Sequence, residues 1–147
     1  MNKTKTIMWF RHDLRITDNP ALNEACRSGD IIPIYIQDNH NNESKQIGSA
    51  SKWWLHQSLI SLNKDLDGGL ITLTGDPKKI IPKLVNESGA SSVVWNRNYE
   101  PWQITRDKTI KTKLEENGLK VKTFNGSLLW EPWKILNQSG TPYKVFT

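Results

Sequence analysis

The chain has 147 residues, one cysteine, seven tryptophans and a net charge of +5. That length suits one domain with a real core and is too short for two ordinary ones. The lone Cys26 excludes a disulfide framework, no run reaches the ~20 apolar residues of a membrane span, and the Lys-bearing N-terminus lacks the apolar stretch of a signal peptide, so a cytoplasmic setting with no membrane partner is expected.

Thr4–Phe10 (TKTIMWF) reads as a first strand. Directly after it, Arg11, His12, Asp13, Arg15 and Asp18 crowd five ionisable groups into eight residues, more than a turn requires. Asn19 then caps a helix with Pro20 at its first position and Gly29 behind Ser28. Ile31–Ile36 (IIPIYI) is a continuous apolar run, the mark of a strand covered on both faces. A polar loop, QDNHNNESKQIG, leads into a long helix from about Ala50 to Leu66, closed by Gly68 and Gly69. At about 100° per residue, Leu55, Leu59, Leu62 and Leu66 share one narrow stripe on this helix. Trp54 lies at the shoulder of the stripe and is expected to pack. Trp53 falls almost opposite, on the side of Ile60, and needs another partner: a ligand, a second domain, or the preceding loop. Leu70–Thr74 is a third strand, and Asp76-Pro77 opens a helix to about Ser88 that Pro82 should kink or delay. Ser92–Asn96 (SVVWN), a helix from Pro101 to about Asn117 with Gly118 behind it, and LKVKTFN as a fifth strand complete the series.

Five strands alternating with four helices predict an α/β fold, a doubly wound, Rossmann-like five-stranded parallel sheet in a single domain. In such sheets ligands sit beyond the carboxyl ends of the strands, where strand order reverses. Arg11–Arg15, Gln37–Asp38 and Arg97–Glu100 each follow a strand, so they share that edge. Arg97, Asn98, Tyr99 and Glu100 read either as turn and capping chemistry, with Glu100 favoured by a helix N-terminus, or as hydrogen-bonding groups for a ligand. No Gly-rich phosphate loop follows the first strand, no Cys/His spacing suggests a metal, and no nucleophile–base pair can be named. His12, His40 and His56 read as surface or packing residues rather than catalysts. Residues 1–75 carry eight basic and eight acidic residues, and residues 76–147 twelve against seven. Many of the latter are lysines spaced along helices, and a solvated face accounts for them ahead of direct nucleic-acid binding.

WFRHDLRITDNPAL (Trp9–Leu22), GSASKWWLHQSL (Gly48–Leu59), GDP (Gly75–Pro77), WNRNYEPW (Trp95–Trp102) with Arg106-Asp107, and LLWEPW followed by PYKVFT together resemble the N-terminal domain of the DNA photolyase/cryptochrome family. The resemblance runs in order over nearly the whole chain. It implies a domain over residues 1–130 that holds a light-harvesting antenna chromophore: a folate, a deazaflavin or a flavin. It also implies that residues 131–147 begin the linker to a helical C-terminal domain, absent from this sequence, which binds FAD and the pyrimidine dimer. UV-damaged DNA would then be met only through the full-length protein, a monomer, and these residues alone would neither repair DNA nor bind FAD.

The family's antenna positions match His12 and Asp13 after the first strand, Ile36 and Gln37 at the end of the second, Ala50 and Ser51 at the start of the long helix, and Asn98 with Glu100. Trp53 joins them from its place on the helix; no catalytic or metal residue is assigned. Deazaflavin binders often have Arg where Ser51 stands and Asp where Asn98 stands. Folate binders of one bacterial type have Asn-Glu where this chain has Trp102 and Gln103, so the chromophore is left open. Arg11, Asp13, Arg15 and Asp18 are expected to form a charged network at the same edge, with Arg15 and Asp18 structural and His12 and Asp13 facing the pocket. The rival readings are a cryptochrome N-terminal domain, a stand-alone nucleotide-binding α/β domain, and a structural domain whose Trp130, Trp133 and Phe146 dock a helical partner.

Overall fold

The computed structural model describes residues 4–38 and 47–143. Strands β1 (Thr4–Phe10), β2 (Gly29–Gln37), β3 (Ile71–Thr74), β4 (Ser92–Asn96) and β5 (Lys120–Phe124) alternate with helices α1 (Pro20–Ser28), α2 (Ser49–Asp65), α3 (Pro77–Ser88) and α4 (Pro101–Glu116). The strands form one sheet in the order β3-β2-β1-β4-β5, every pair parallel. This is the doubly wound fold the alternation predicts. Strand order reverses between β1 and β4, which makes the ends of those two strands the switch point.

Side-chain alternation along the central strands sorts the core into two layers. Ile7 and Trp9 of β1, Ile34 and Ile36 of β2, and Val93 and Trp95 of β4 pack with Ile81, Val85, Ile110 and Leu114 from α3 and α4. Met8, Phe10 and Val94 point the other way, to Ala21, Leu22 and Ala25 of α1 and Leu62 of α2. Trp9 and Trp95 meet edge to face with ring centroids 5.6 Å apart. Burying each of the Ile, Val, Leu, Met and Phe side chains in these layers contributes roughly 1.5 to 3 kcal/mol.

Local chemistry fixes the element ends. The Asn19 side chain accepts from the Leu22 N–H and that of Asp76 from the Lys78 N–H, each just ahead of a proline at the helix start. Helix α1 runs into β2 with no loop between them. Gly29 makes that junction at φ +132°, where an added Cβ would lie 2.4 Å from the Thr4 carbonyl oxygen, so only glycine fits. Pro33 precedes the stretch of β2 that pairs with β3, which begins at Ile34, and there a missing N–H is tolerated. Pro82 neither ends nor delays α3, which runs unbroken from Pro77 to Ser88.

Helix α2 corrects one expectation. Leu62 is buried and Leu66 packs on the same cluster, so the direction of the stripe is right. Trp54, however, is 70% exposed and does not pack at its shoulder. The helical wheel gives a direction and not a depth: α2 meets the core through its last turns, and the two tryptophans lie in its second turn, away from it. His40, Phe146 and most of the loop before α2 lie outside the described residues. No described helix is long and apolar enough to cross a membrane.

Candidate functional site

Beyond Phe10 the alternation of β1 continues for one residue and puts Arg11 on the Trp9 side, its guanidinium 4.7 Å from that ring's centroid. Arg11 donates to the Asp107 carboxylate and to the Asn96 carbonyl. Burial lowers the Arg11 pKa, and the Asp107 charge opposes that shift. The other Asp107 oxygen accepts from Arg106 at 2.9 and 3.0 Å, and Arg106 reaches Asp38 at 2.9 Å. A chain of charges, Asp38–Arg106–Asp107–Arg11, thereby ties the end of β2 to α4 and to the end of β1.

A second network closes the corner. Asp13 Oδ1 accepts from the Arg11 backbone N–H at 2.8 Å. Its Oδ2 accepts from Asn96 Nδ2 at 2.6 Å and from Asn19 Nδ2 at 3.2 Å. Asn96 also donates to Asn19 Oδ1 at 2.7 Å and accepts from the Ala21 N–H at 3.2 Å. Gly126 covers Asn96 so closely that a Cβ would sit 2.5 Å from its Cγ. The polar crowd after β1 is therefore answered mainly from a distance. Asp18 is corrected: its carboxylate points into solvent, 4.0 Å from Arg15. Arg15 instead holds the backbone carbonyls of Asp18 and Gly126.

The sequence-predicted site residues sit as follows. His12 is exposed just past β1, and Gln37 is exposed at the end of β2, where its carbonyl accepts from the Gly75 N–H. Ile36 is buried in the core. Ala50 and Ser51 are exposed in the first turn of α2, and Trp53, 62% exposed, lies 6.5 Å from Trp54 between ring centroids. Asn98 is half-buried, and the exposed Glu100 accepts from the Trp102 indole N–H. Both Asp13 oxygens are engaged by the corner itself. The strands that end beside these groups, β2, β1 and β4, are neighbours in the sheet. Sequence reasoning missed Asn96, Asp107 and the structural share of Arg106. A signal existed: Gln103, Asp107, Ile110 and Leu114 share the buried face of α4, and a carboxylate on a core stripe calls for a partner.

Residues 6–147 match the model of the DNA photolyase family. The chain belongs to that family. A class III photolyase from Agrobacterium tumefaciens, of known crystal structure, is 41% identical with a TM-score of 0.89, over all of this chain and 31% of that one. A Sulfolobus tokodaii photolyase, crystallised with two FAD molecules and described as implying a novel light-harvesting cofactor, is 30% identical with a TM-score of 0.76, over 88% of this chain and 31% of its own. Cryptochrome-2 of Arabidopsis thaliana is 42% identical over 97% of this chain and 24% of its own length. The chain thus spans about a third or less of each of these relatives.

Within this photolyase domain, Arg97 and Tyr99 are engaged by the C-terminal stretch. Both face Glu131 of the LLWEPW stretch: Arg97 Nη2 and Nε lie 2.6 and 2.7 Å from its Oε1, and the Tyr99 hydroxyl donates at 2.9 Å. Arg97 also holds the Thr123 carbonyl and hydroxyl of β5. Glu131, the first residue of the expected linker, is 2% exposed and anchors that stretch to the domain. Desolvation raises the Glu131 pKa, but hydrogen bonds from Tyr99 and Arg97, with the charges of Arg97 and Lys134, outweigh it and leave the pKa lowered. A lowered folded-state value means stability that is present above the unfolded carboxyl's range and is lost as pH falls through the folded value. Glu131→Gln should therefore flatten the acid limb of a stability profile below about pH 4.3, as read by urea midpoints from pH 7 to pH 3. A variant profile parallel to the parent's would contradict this.

Proposed function

We propose that this domain holds a light-harvesting chromophore at the ends of β1, β2 and β4 for a photolyase-length protein. The observation that carries the reading is the edge itself. The side chains of His12 just past β1, Gln37 at the end of β2, Asn98 just past β4 and Ser51 in the first turn of α2 make no hydrogen bond among the described residues, while the corner at the ends of β1 and β4 is fixed by buried ion pairs. Rigid support under uncommitted polar groups and an exposed aromatic, Trp53, is the mix a flat heteroaromatic ligand needs. Asp13, Ile36, Ala50 and Glu100 complete the wall, with Asp13 and Glu100 acting through the neighbours they hold. The light-harvesting reading attached to the Sulfolobus relative supports a chromophore here.

In this proposal the rest of a full-length protein, following the stretch 131–147, supplies the FAD and the contacts to dimer-damaged DNA, and this chain alone, a monomer, repairs nothing. The test is titration of the purified chain with methenyltetrahydrofolate, a deazaflavin and FMN, followed by absorption and fluorescence. One probe should bind at a single site. Trp53→Ala should weaken it by about 2 kcal/mol, roughly thirtyfold, whereas Trp54→Ala binds as the parent does. Both variants should unfold within ~0.5 kcal/mol of the parent, because both rings are exposed. Failure of all three probes to bind would overturn the reading. The cryptochrome likeness favours a second reading, the same domain in a blue-light receptor; light-driven dimer repair by the full-length protein separates the two.

A further inference from the structure

The Arg106 guanidinium touches three walls of the strand-end edge at once. It pairs with Asp38 at the end of β2 at 2.9 Å and with Asp107 at 2.9 Å. It also lies 5.2 Å from the Trp9 ring centroid and 5.0 Å from that of Trp102. Trp102 is half-buried in the first turn of α4, and its indole N–H is held by Glu100. One end of this ring is thus fixed by a hydrogen bond and one face by a cation. Nothing in the core requires a buried arginine in the second turn of α4; Ile110 and Leu114 already anchor the helix. Removing a guanidinium from water has a cost, and a site spanning β1, β2 and α4 is where such a residue gives geometry in return.

We propose that Arg106 is the positioning residue of the chromophore cleft, setting the end of β2 through Asp38 and the plane of Trp102 by stacking. The proposal rests on the reading of that edge as the chromophore site. Arg106 acts through its neighbours: Asp107 orients the guanidinium fork, and the fork orients Asp38 and Trp102. A lysine keeps the charge and can still reach Asp38, but it cannot pair bidentately or stack as a plane, so Arg106→Lys separates geometry from charge.

The experiment compares the parent chain with Arg106→Lys and Asp38→Asn. Without ligand, hydrogen exchange at the Gln37 and Asp38 amides and the emission of Trp102, isolated by subtracting a Trp102→Phe sample, report the two walls. With ligand, the dissociation constant is measured for whichever of methenyltetrahydrofolate, the deazaflavin and FMN the parent binds. Arg106→Lys should speed exchange at Gln37 and Asp38, shift Trp102 emission to the red, and weaken binding about tenfold or more, the scale on which orienting partners act elsewhere. Asp38→Asn should speed the exchange and leave Trp102 emission unchanged. If Arg106→Lys binds the probe as tightly as the parent, or loses affinity only in step with its unfolding midpoint, Arg106 is a packing residue and the proposal fails. If the parent binds none of the probes, the chromophore reading fails; faster exchange with shifted emission then still supports Arg106 as the residue that sets this edge, and unchanged values overturn that as well.

Discussion

Asp107→Ala is expected to destabilise the domain by about 3 to 5 kcal/mol, the usual cost of removing one member of a buried ion pair. Asp107 is the only carboxylate among the described residues that Arg11 meets in an ion pair, and it also receives two hydrogen bonds from Arg106. Without it, Arg11 remains buried with no ion-pair partner among the described residues, left with the Asn96 carbonyl, the Trp9 ring face and the more distant Asp13 charge, while Arg106 keeps Asp38. The damage should therefore centre on Arg11. Replacing both partners by apolar residues, Arg11→Met with Asp107→Leu, should cost clearly less than the sum of the single changes, since no stranded charge is left behind. Urea unfolding of the three variants checks this. An Asp107→Ala midpoint within about 1 kcal/mol of the parent would mean that water reaches Arg11 and the corner is not sealed.

What could be read in advance follows the range of the interactions. Strand alternation and helix caps are local, so the bounds of β1, α1, α3 and β4 were legible from Asn19-Pro20, Asp76-Pro77 and the apolar runs. The sheet followed from the alternation of elements, and with it the edge that gathers the loops after β1, β2 and β4. The pairing inside that edge was not legible. Arg11 and Asp107 are 96 positions apart, and Arg97 and Glu131 are 34 apart; nothing local says which of several acids each arginine will meet. A crowd such as Arg11, Asp13, Arg15 and Asp18 invites pairing within itself. Here that pairing is slight: Asp18 sits at φ 48° with its exposed carboxylate 4.0 Å from Arg15, and within the crowd the Asp13 carboxylate takes only the backbone N–H of Arg11. Trp54 failed for a different reason. A wheel assumes a helix that lies along the sheet over its whole length, and α2 is buried only at Leu62. The antenna residues themselves came from likeness to a family, so their chemistry is open to the titrations described above.

Asn96→Asp should be as damaging as the loss of Asp107, for the opposite reason: it adds a charge where none can be answered. The Asn96 amide nitrogen donates to Asp13 Oδ2 at 2.6 Å and to Asn19 Oδ1 at 2.7 Å, so the substitution sets an oxygen against two oxygens. With both carboxylates ionised at that separation, repulsion in a buried corner costs several kcal/mol; about 3 to 5 is expected at neutral pH. The variant can relieve this by holding one proton between the two acids. The sign of the pH dependence follows. The folded pair binds a proton that the unfolded chain releases near pH 4, so the relief is complete below that value and is lost as pH rises through the raised titration of the pair. Measured against the parent, Asn96→Asp should be least destabilised at about pH 4 and most at pH 7 and above. Asn96→Ala, which removes a donor to the Asp13 carboxylate but adds no charge, should show a deficit that grows much less with pH. The contrast between the two variants is the test of Asn96 as the hub of the corner. If Asn96→Asp unfolds at the parent's midpoint at pH 7, the amide is not donating to Asp13, and the site's floor is built on some other contact.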